Sequence, residues 1–316
     1  MGLVVSYIKT NFPPKSKFSY DDIPDLSGQV IIVTGGSAGQ FSGVGKQTVK
    51  VLLQHNAKVY IAARSEESAK VAIKDLRSQT GKEAYFLHLD LADLHSVKRA
   101  AEEFKQKETQ LHVLFNNGGV MSAPIEQVTP QNIDLQFGTN VLGHFYLTKL
   151  LLPVLLATAT PGKPARVINS SSFALEMTPG NTIHFNTLKD GPARKKLSPL
   201  NLYSQSKFGN LVFSNELARR YGDQGIMSVA LHPGNIMTDL YRHAPTYQRK
   251  VMELSLYPVE LGAQTQLWAG TTAEGANFNG KYLIPWARMG KANPKTLDPT
   301  LGKELWTWLE EQVADI

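Results

Sequence analysis

Gln29-Val30-Ile31-Ile32-Val33-Thr34-Gly35-Gly36 runs apolar and β-branched, then breaks on glycines. A short apolar run of this kind, closed by Thr-Gly-Gly, reads as a buried strand feeding a tight turn. Val44 to His55 follows with helical spacing. A strand, a glycine-rich turn and a helix together aim free backbone N–H groups and a positive dipole end at a pyrophosphate. The full turn is Thr34-Gly35-Gly36-Ser37-Ala38-Gly39-Gln40-Phe41-Ser42-Gly43-Val44-Gly45. A glycine-rich turn is common, so the rest of the chain has to support the reading.

Working outward, the same alternation repeats. Strands are expected at Lys58–Ala62, Ala84–Leu89, Leu111–Phe115, Ala165–Asn169, Met227–Leu231 and Lys281–Ile284. Helices are expected at Ser65–Gln79, Leu94–Lys107, Asn132–Ala157, Leu200–Tyr221 and Leu301–Val313. Strands alternating with helices of this length mean βαβ units. The fold class is therefore α/β: a doubly wound, Rossmann-type parallel sheet with helices on both faces. A length of 316 residues suggests two domains. No linker or shift in composition divides the strand series, so one domain over 29–316 is expected. Residues 1–28, with Pro13-Pro14 and the run Asp21, Asp22, Pro24, Asp25, read as an irregular N-terminal arm.

Composition removes several classes of function. There is no cysteine, which excludes disulfides, Cys-bound zinc, iron–sulfur clusters and thiol nucleophiles. The eight histidines show no ligand spacing, so no metal site is expected. The net charge of +6 is spread along the chain without a basic stripe, which argues against nucleic acid as a partner. No run reaches the 18 apolar residues of a transmembrane segment; Leu150–Ala157 is short and contains Pro153. Met1-Gly2-Leu3-Val4-Val5-Ser6 fits the loose N-myristoylation pattern at Gly2, and equally a short apolar arm packed on the domain. The expected location is cytoplasmic, with membrane association through Gly2 as the alternative.

The second strand informs about the nucleotide. An acidic residue about 20 positions beyond the turn would bind a free ribose 2′-hydroxyl. Here Ala62-Ala63-Arg64 offers an arginine instead, suited to a 2′-phosphate and hence to NADP(H). The competing role for Arg64 is a solvated residue at a helix start.

Tyr203-Ser204-Gln205-Ser206-Lys207 places Tyr and Lys one helical turn apart. A nearby ammonium stabilises the phenolate and makes tyrosine a workable acid and base near neutrality. With 11 tyrosines, about one such spacing is expected by chance, so order and context decide. The context is Asn116-Asn117-Gly118-Gly119 after the fourth strand, Asn140 in the next helix, Ser170-Ser171-Ser172 after the fifth strand, and Pro233-Gly234 after the sixth. Most of these fall at the carboxyl ends of strands, where open α/β sheets bind ligands.

On these residues the chain resembles the short-chain dehydrogenase/reductase family over about residues 28 to 314. The stretches Arg166–Ser172 and Leu202–Lys207 through Leu217, with the long spacer between Ser172 and Tyr203, look like its retinol-dehydrogenase and WW-domain-oxidoreductase branch. The N-terminal arm is similar to that of fungal members. The resemblance implies that Tyr203 transfers a proton and that Lys207 lowers its pKa and bonds the nicotinamide ribose. It implies further that Ser172 orients the substrate oxygen and that Asn140 holds a water leading from Lys207 to solvent. For the cofactor it implies Gly35, Gly43, Val44 and Gly45 at the pyrophosphate, and Asp90 and Leu91 at the adenine. Asn116 and Gly118 would shape the adenosine side, and Pro233, Gly234 and Thr238 would lie by the nicotinamide. The resemblance also allows a homodimer through the long helices around Asn140 and Tyr203.

Two departures stand out. Gly118 replaces a usual alanine. The family pattern T-G-x-x-x-G-x-G is met only after removing Gly39 to Ser42, four residues that fall where backbone should touch pyrophosphate. The leading expectation is an NADP-dependent oxidoreductase interconverting a carbonyl and an alcohol on a small, apolar substrate. The alternative is a cofactor-binding regulatory or low-activity member with an altered turn. Phe173–Leu200 and Asn235–Tyr257 are the segments expected to shape the substrate pocket.

Overall fold

The first strand, β1 (Val30–Thr34), is apolar on both faces: Val30 and Ile32 enter one apolar layer, Ile31 and Val33 the other. A strand buried on both sides needs such a continuous run, and it belongs in the middle of a parallel sheet. The computed structural model describes residues 12–36, 43–236 and 256–316. Its sheet has eight strands: β1, β2 (Lys58–Ala63), β3 (Tyr85–His88), β4 (Val113–Asn116), β5 (Ala165–Ser170), β6 (Ile226–Leu231), β7 (Tyr282–Ile284) and β8 (Arg288–Met289). Their order is β3-β2-β1-β4-β5-β6-β7-β8, parallel throughout except that β8 turns back antiparallel to β7. Ile32 stands beside Tyr60 of β2 and Leu114 of β4. The order reverses between β1 and β4, which opens a crevice at their carboxyl ends.

One layer contains α1 (Val44–Gln54), α2 (Glu66–Thr80) and α7 (Val259–Thr271). The other contains α3 (Leu94–Lys107), α4 (Leu135–Thr158), α6 (Pro199–Tyr221) and α8 (Pro299–Gln312). A short helix, α5 (Pro192–Lys195), lies in the spacer before α6. Local chemistry sets the ends. Ser65, Asp93, Ser198 and Asp298 cap α2, α3, α6 and α8 through side-chain oxygens, and Pro199 and Pro299 occupy the first helical positions.

Four findings go beyond the sequence expectations. First, α7 carries no helical signal in its spacing, because it is buried on most sides and holds two glycines. A Cβ on Gly262 would meet Ile236 and Val44, and one on Gly270 would stand 2.3 Å from Phe115, so these helix-weakening residues are what lets α7 approach the sheet. Second, α4 is continuous over 24 residues with a π turn at Gly138–Leu142, and is long and apolar enough to cross a membrane. Its length agrees with the helix expected at Asn132–Ala157; the π turn within it is what the sequence does not display. Phe145, Leu147, Leu151 and Leu155 on it are fully buried, so its apolarity serves the core.

Third, the segment before β1 is anchored: Ser19 and Asp22 form a capping box around a single 3₁₀ turn, and Phe18, Ile23 and Leu26 are buried under α1. Fourth, α8 packs Leu301, Leu305, Trp306 and Leu309 over α4 and α6. The Trp306 ring lies 5.1 Å from Phe145 and 6.2 Å from Phe213. The helix faces expected to pair with a second copy are thus covered in part by the chain itself.

Candidate active site

The crevice begins with Gly35, whose φ of +71° suits glycine and whose N–H donates to Ala62 at 2.9 Å. A Cβ there would stand 2.8 Å from the Cα of Gly118, so the two glycines press the β1 and β4 turns together. Thr34 fastens them. Its hydroxyl accepts the N–H groups of Asn117 at 3.0 Å and Gly118 at 2.8 Å, and the Asn117 amide donates back to the Thr34 carbonyl at 2.9 Å. Gly45 sits against the same amide, with no room for a Cβ.

At the start of α1, Gly43 is the N-cap and offers no side-chain bond, so the first-turn N–H groups of Val44 and Gly45 have no capping side chain. Bare glycine backbone at a helix start fits a pyrophosphate. Gly39 to Ser42 lie outside the described residues, as do Thr238 and Gly2. Arg64 follows β2, is exposed, and makes no ion pair among the described residues. Asp90 accepts the N–H of Ala92 at 3.0 Å while its own N–H donates to Ser96, which fixes the turn carrying Leu91. Asn116 turns inward: its amide donates to Thr148 at 3.1 Å and Asn169 at 2.9 Å, so its side chain braces β4 against β5. Gly234 has a φ of +90° and rests on Trp286, with Pro233 beside it at the end of β6.

The catalytic candidates converge from β5, α4 and α6. Ser170 and Ser171 are buried; the Ser171 hydroxyl donates to the Lys207 carbonyl at 2.6 Å. Ser172 is half-buried, and among the described residues its side chain accepts only the nearby Ala174 N–H, at 3.2 Å, which leaves its O–H available to a ligand. Lys207 is buried, and its ammonium donates to the Ser170 carbonyl at 3.0 Å. Burial pulls its pKa down to about 8. The ammonium also lies 5.7 Å from the centre of the Tyr203 ring, over its face.

Asn140, fully buried in the π turn, accepts the Val120 N–H at 2.9 Å and donates to the Val120 carbonyl at 3.0 Å and the Ser206 hydroxyl at 2.9 Å. A Cβ on Gly119 would stand 2.8 Å from Asn140 Oδ1 and 3.6 Å from Lys207 Nζ, so that position must stay bare. The structure therefore gathers Asn140, Ser172, Tyr203 and Lys207 at one end of the sheet.

Four residues here were not singled out from the sequence: Thr34, Asn117, Ser206 and His144. The first three lie inside the quoted motifs, and a polar residue within a glycine turn or between Tyr and Lys was the available signal. His144 follows Asn140 by one helical turn, a spacing that puts both on one face.

Residues 29–248 match the sequence profile of the short chain dehydrogenases. A short-chain dehydrogenase/reductase of the fungus Armillaria gallica is 58% identical over 315 residues, covering 100% of both chains. A crystal structure of an uncharacterised protein from Mycobacterium paratuberculosis superposes with a TM-score of 0.72 at 27% identity, covering 95% of this chain and 98% of the other. The Pseudomonas aeruginosa RhlG/NADP active-site complex superposes at 0.65 with 25% identity, over 82% and 95%. The likeness to fungal members expected from the arm agrees with the source of the first relative. With the profile spanning most of the domain and a relative matching end to end, the chain belongs to the short-chain dehydrogenase/reductase family, as an oxidoreductase that works with a nicotinamide cofactor.

Proposed function

We propose that the chain is an NADP-dependent oxidoreductase that interconverts a carbonyl and an alcohol on a small, apolar substrate, with Tyr203 as general acid and base. The observation that carries this reading is the pairing of Lys207 with Tyr203. A buried ammonium lies against the phenol ring, one helical turn away, and among the described residues no carboxylate bonds it. A positive charge so placed favours the phenolate and brings proton exchange toward neutral pH. When bound, the nicotinamide supplies the hydride acceptor or donor. Ser172 donates its free O–H to the substrate oxygen and holds it toward the phenol. Asn140 fixes the Val120 turn and, through Ser206, the helix that carries Tyr203.

Arg64 supports NADP over NAD. Its guanidinium is exposed beyond β2, where a carboxylate would select the free ribose, and two parallel N–H bonds suit a phosphate. Thr238 would complete the nicotinamide side. The test is titration with NADPH and NADH, followed by a panel of apolar aldehydes, ketones and alcohols. Tight NADPH binding and carbonyl reduction that disappears in Tyr203→Phe are expected. Absence of NADPH binding by the native chain, with binding gained on deleting Gly39 to Ser42, would move the protein to the regulatory reading.

A further inference from the structure

His144 lies on α4, one turn beyond Asn140, and is buried at 2% exposure. Its Nε2 is 2.9 Å from the Thr34 hydroxyl oxygen and its Nδ1 is 3.0 Å from the Asn140 carbonyl oxygen. It therefore touches both the strand end that carries the nucleotide turn and the π turn that carries the active-site asparagine.

The protonation state of the ring follows from counting donors and acceptors. The Thr34 hydroxyl has two lone pairs and one proton. Both lone pairs are taken, by the N–H groups of Gly118 and Asn117. The hydroxyl has only its proton left for the imidazole, so Nε2 must accept, which requires it to be unprotonated. The single ring proton then sits on Nδ1, facing a carbonyl oxygen that can only accept. An imidazolium would set a second N–H against an oxygen with no lone pair left. The charged group acting on the ring, the Lys207 ammonium, disfavours the cation as well, in the same sense as burial. Thr34 has one other acceptor for its proton, the Phe115 carbonyl, at the longer distance of 3.3 Å.

The Asn140 carbonyl that faces Nδ1 lies in the π turn. In this turn the Gly143 N–H reaches back to Gly138, five residues, so the regular ladder is shifted. From Asn140 the connection continues. Its amide donates to the Ser206 hydroxyl at 2.9 Å, and that hydroxyl donates to the Tyr203 carbonyl at 2.7 Å. Thr34, His144, Asn140, Ser206 and Tyr203 are all buried to 5% exposure or less. They come from β1, α4 and α6, so this is a cross-brace between elements, not a local cap.

We propose that His144 is a positioning residue of the active site, held as the neutral Nδ1–H tautomer, which sets the Tyr203 helix in register with the nucleotide turn by bonding Thr34 and Asn140 at once. The proposal rests on the oxidoreductase reading for its catalytic part. The two ring nitrogens do separable work: Nδ1 steadies the acid–base end, and Nε2 steadies the turn that receives the nucleotide. Asparagine can reproduce the donor near Nδ1 but does not reach Thr34. Glutamine reaches toward Thr34 but gives up the Nδ1 geometry.

The experiment pairs a spectroscopic readout with a kinetic one. On the unmodified chain without nucleotide, long-range ¹H–¹⁵N correlation spectra of the histidine rings should show His144 protonated at Nδ1 only, and unchanged between pH 8 and 6. An Nε2–H tautomer, or an imidazolium at pH 6, overturns the proposal without reference to activity. In kinetics with NADPH and a carbonyl substrate, H144Q should lose about five-fold more in kcat than H144N, and H144N about five-fold more in NADPH affinity than H144Q, the usual scale of one hydrogen bond. H144L should lose both. Equal losses in H144N and H144Q, with circular dichroism showing both folded, overturn the division of labour. If the unmodified chain neither binds NADPH nor reduces carbonyls, the oxidoreductase reading fails and takes the catalytic part with it. The tautomer result then still decides whether the brace exists.

Discussion

The ammonium of Lys207 donates to the main-chain carbonyl of Ser170 at 3.0 Å, tying the helix that carries Tyr203 to the strand whose end carries Ser172. Asn210 donates to the same oxygen at 3.0 Å, so the carbonyl keeps a partner if the lysine is removed. On the proposed mechanism the lysine is held for its chemistry, against the cost of burying a charge. Lys207→Met should therefore abolish turnover and yet stabilise the fold near pH 7, by about 1–3 kcal/mol. The sign with pH is fixed by the depressed pKa of about 8, against 10.5 for a free lysine. Between those values the unfolded chain holds more protons, so wild-type stability rises with pH there and the advantage of the variant shrinks. Urea denaturation of both proteins at pH 7 and pH 10 checks it.

Tyr203→Phe removes one oxygen from a buried ring and leaves the packing in place. Loss of a general acid and base lowers kcat by about 10²–10⁴-fold. NADPH affinity, read by fluorescence quenching, should move by less than about three-fold, since the task proposed for the phenol lies with the substrate. A kcat within ten-fold of wild type would take the proton step away from Tyr203.

Arg64→Ala should weaken NADPH by about 10–100-fold, the range of a charge-assisted bond to phosphate, and leave NADH nearly untouched. An equal loss for both nucleotides would make Arg64 a general electrostatic contributor without preference for the 2′-phosphate.

Two buried imidazoles make the protein acid-sensitive. Burial lowers His144 to about 4 and His232 to about 3, from 6.5. The unfolded chain takes up protons below pH 6.5 that the folded chain refuses, so stability falls with pH at about 1.4 kcal/mol per unit for each group. The loss runs from about 6.5 down to the folded values. Comparing H144N with wild type between pH 6.5 and 4.5 should show the variant losing less stability, by about that slope. Parallel curves would mean that His144 is not a buried neutral ring.

Glycines at the crevice differ in what a methyl group would meet. Gly35→Ala forces φ +71° on an alanine and sets its Cβ 2.8 Å from the Gly118 backbone. A cost of about 2–4 kcal/mol and loss of NADPH binding are expected. Gly118→Ala meets Leu91 Cδ1 at 3.1 Å and Thr34 Oγ1 at 3.2 Å, and the leucine end can give way. Thermal denaturation should place this variant within about 1 kcal/mol of wild type, in line with alanine being usual there.

Much of the fold was legible because β1, β4, β5 and β6 are apolar on both faces and the glycine turn punctuates the first crossover. Residues such as Tyr203 and Lys207 announce themselves by spacing on one helix. Less legible was α7, where Gly262 and Gly270 weaken helix propensity for the sake of packing that sequence does not display. The motif places Asn116 beside the cofactor but does not display that its amide bonds Thr148 and Asn169, partners 32 and 53 residues away. His144 is hard to read for a related reason: an isolated histidine on an apolar helix says nothing until Thr34, 110 residues earlier, is seen beside it.

The C-terminal helix carries a consequence for how the protein is made. Trp306 and its neighbours on α8 complete the apolar layer laid down by Phe145 and Phe213, long before them in the chain. Synthesis proceeds from the N-terminus, so that layer stays open until α8 has left the ribosome. Asn215, which donates to the Thr296 carbonyl at 2.9 Å, likewise waits for an acceptor made just before α8. Without α8, Phe145 and Phe213 lose the cover that the Trp306 ring gives them. Closure of this layer is thus a late event in synthesis, deferred until a segment far along the chain arrives to cover helices made well before it.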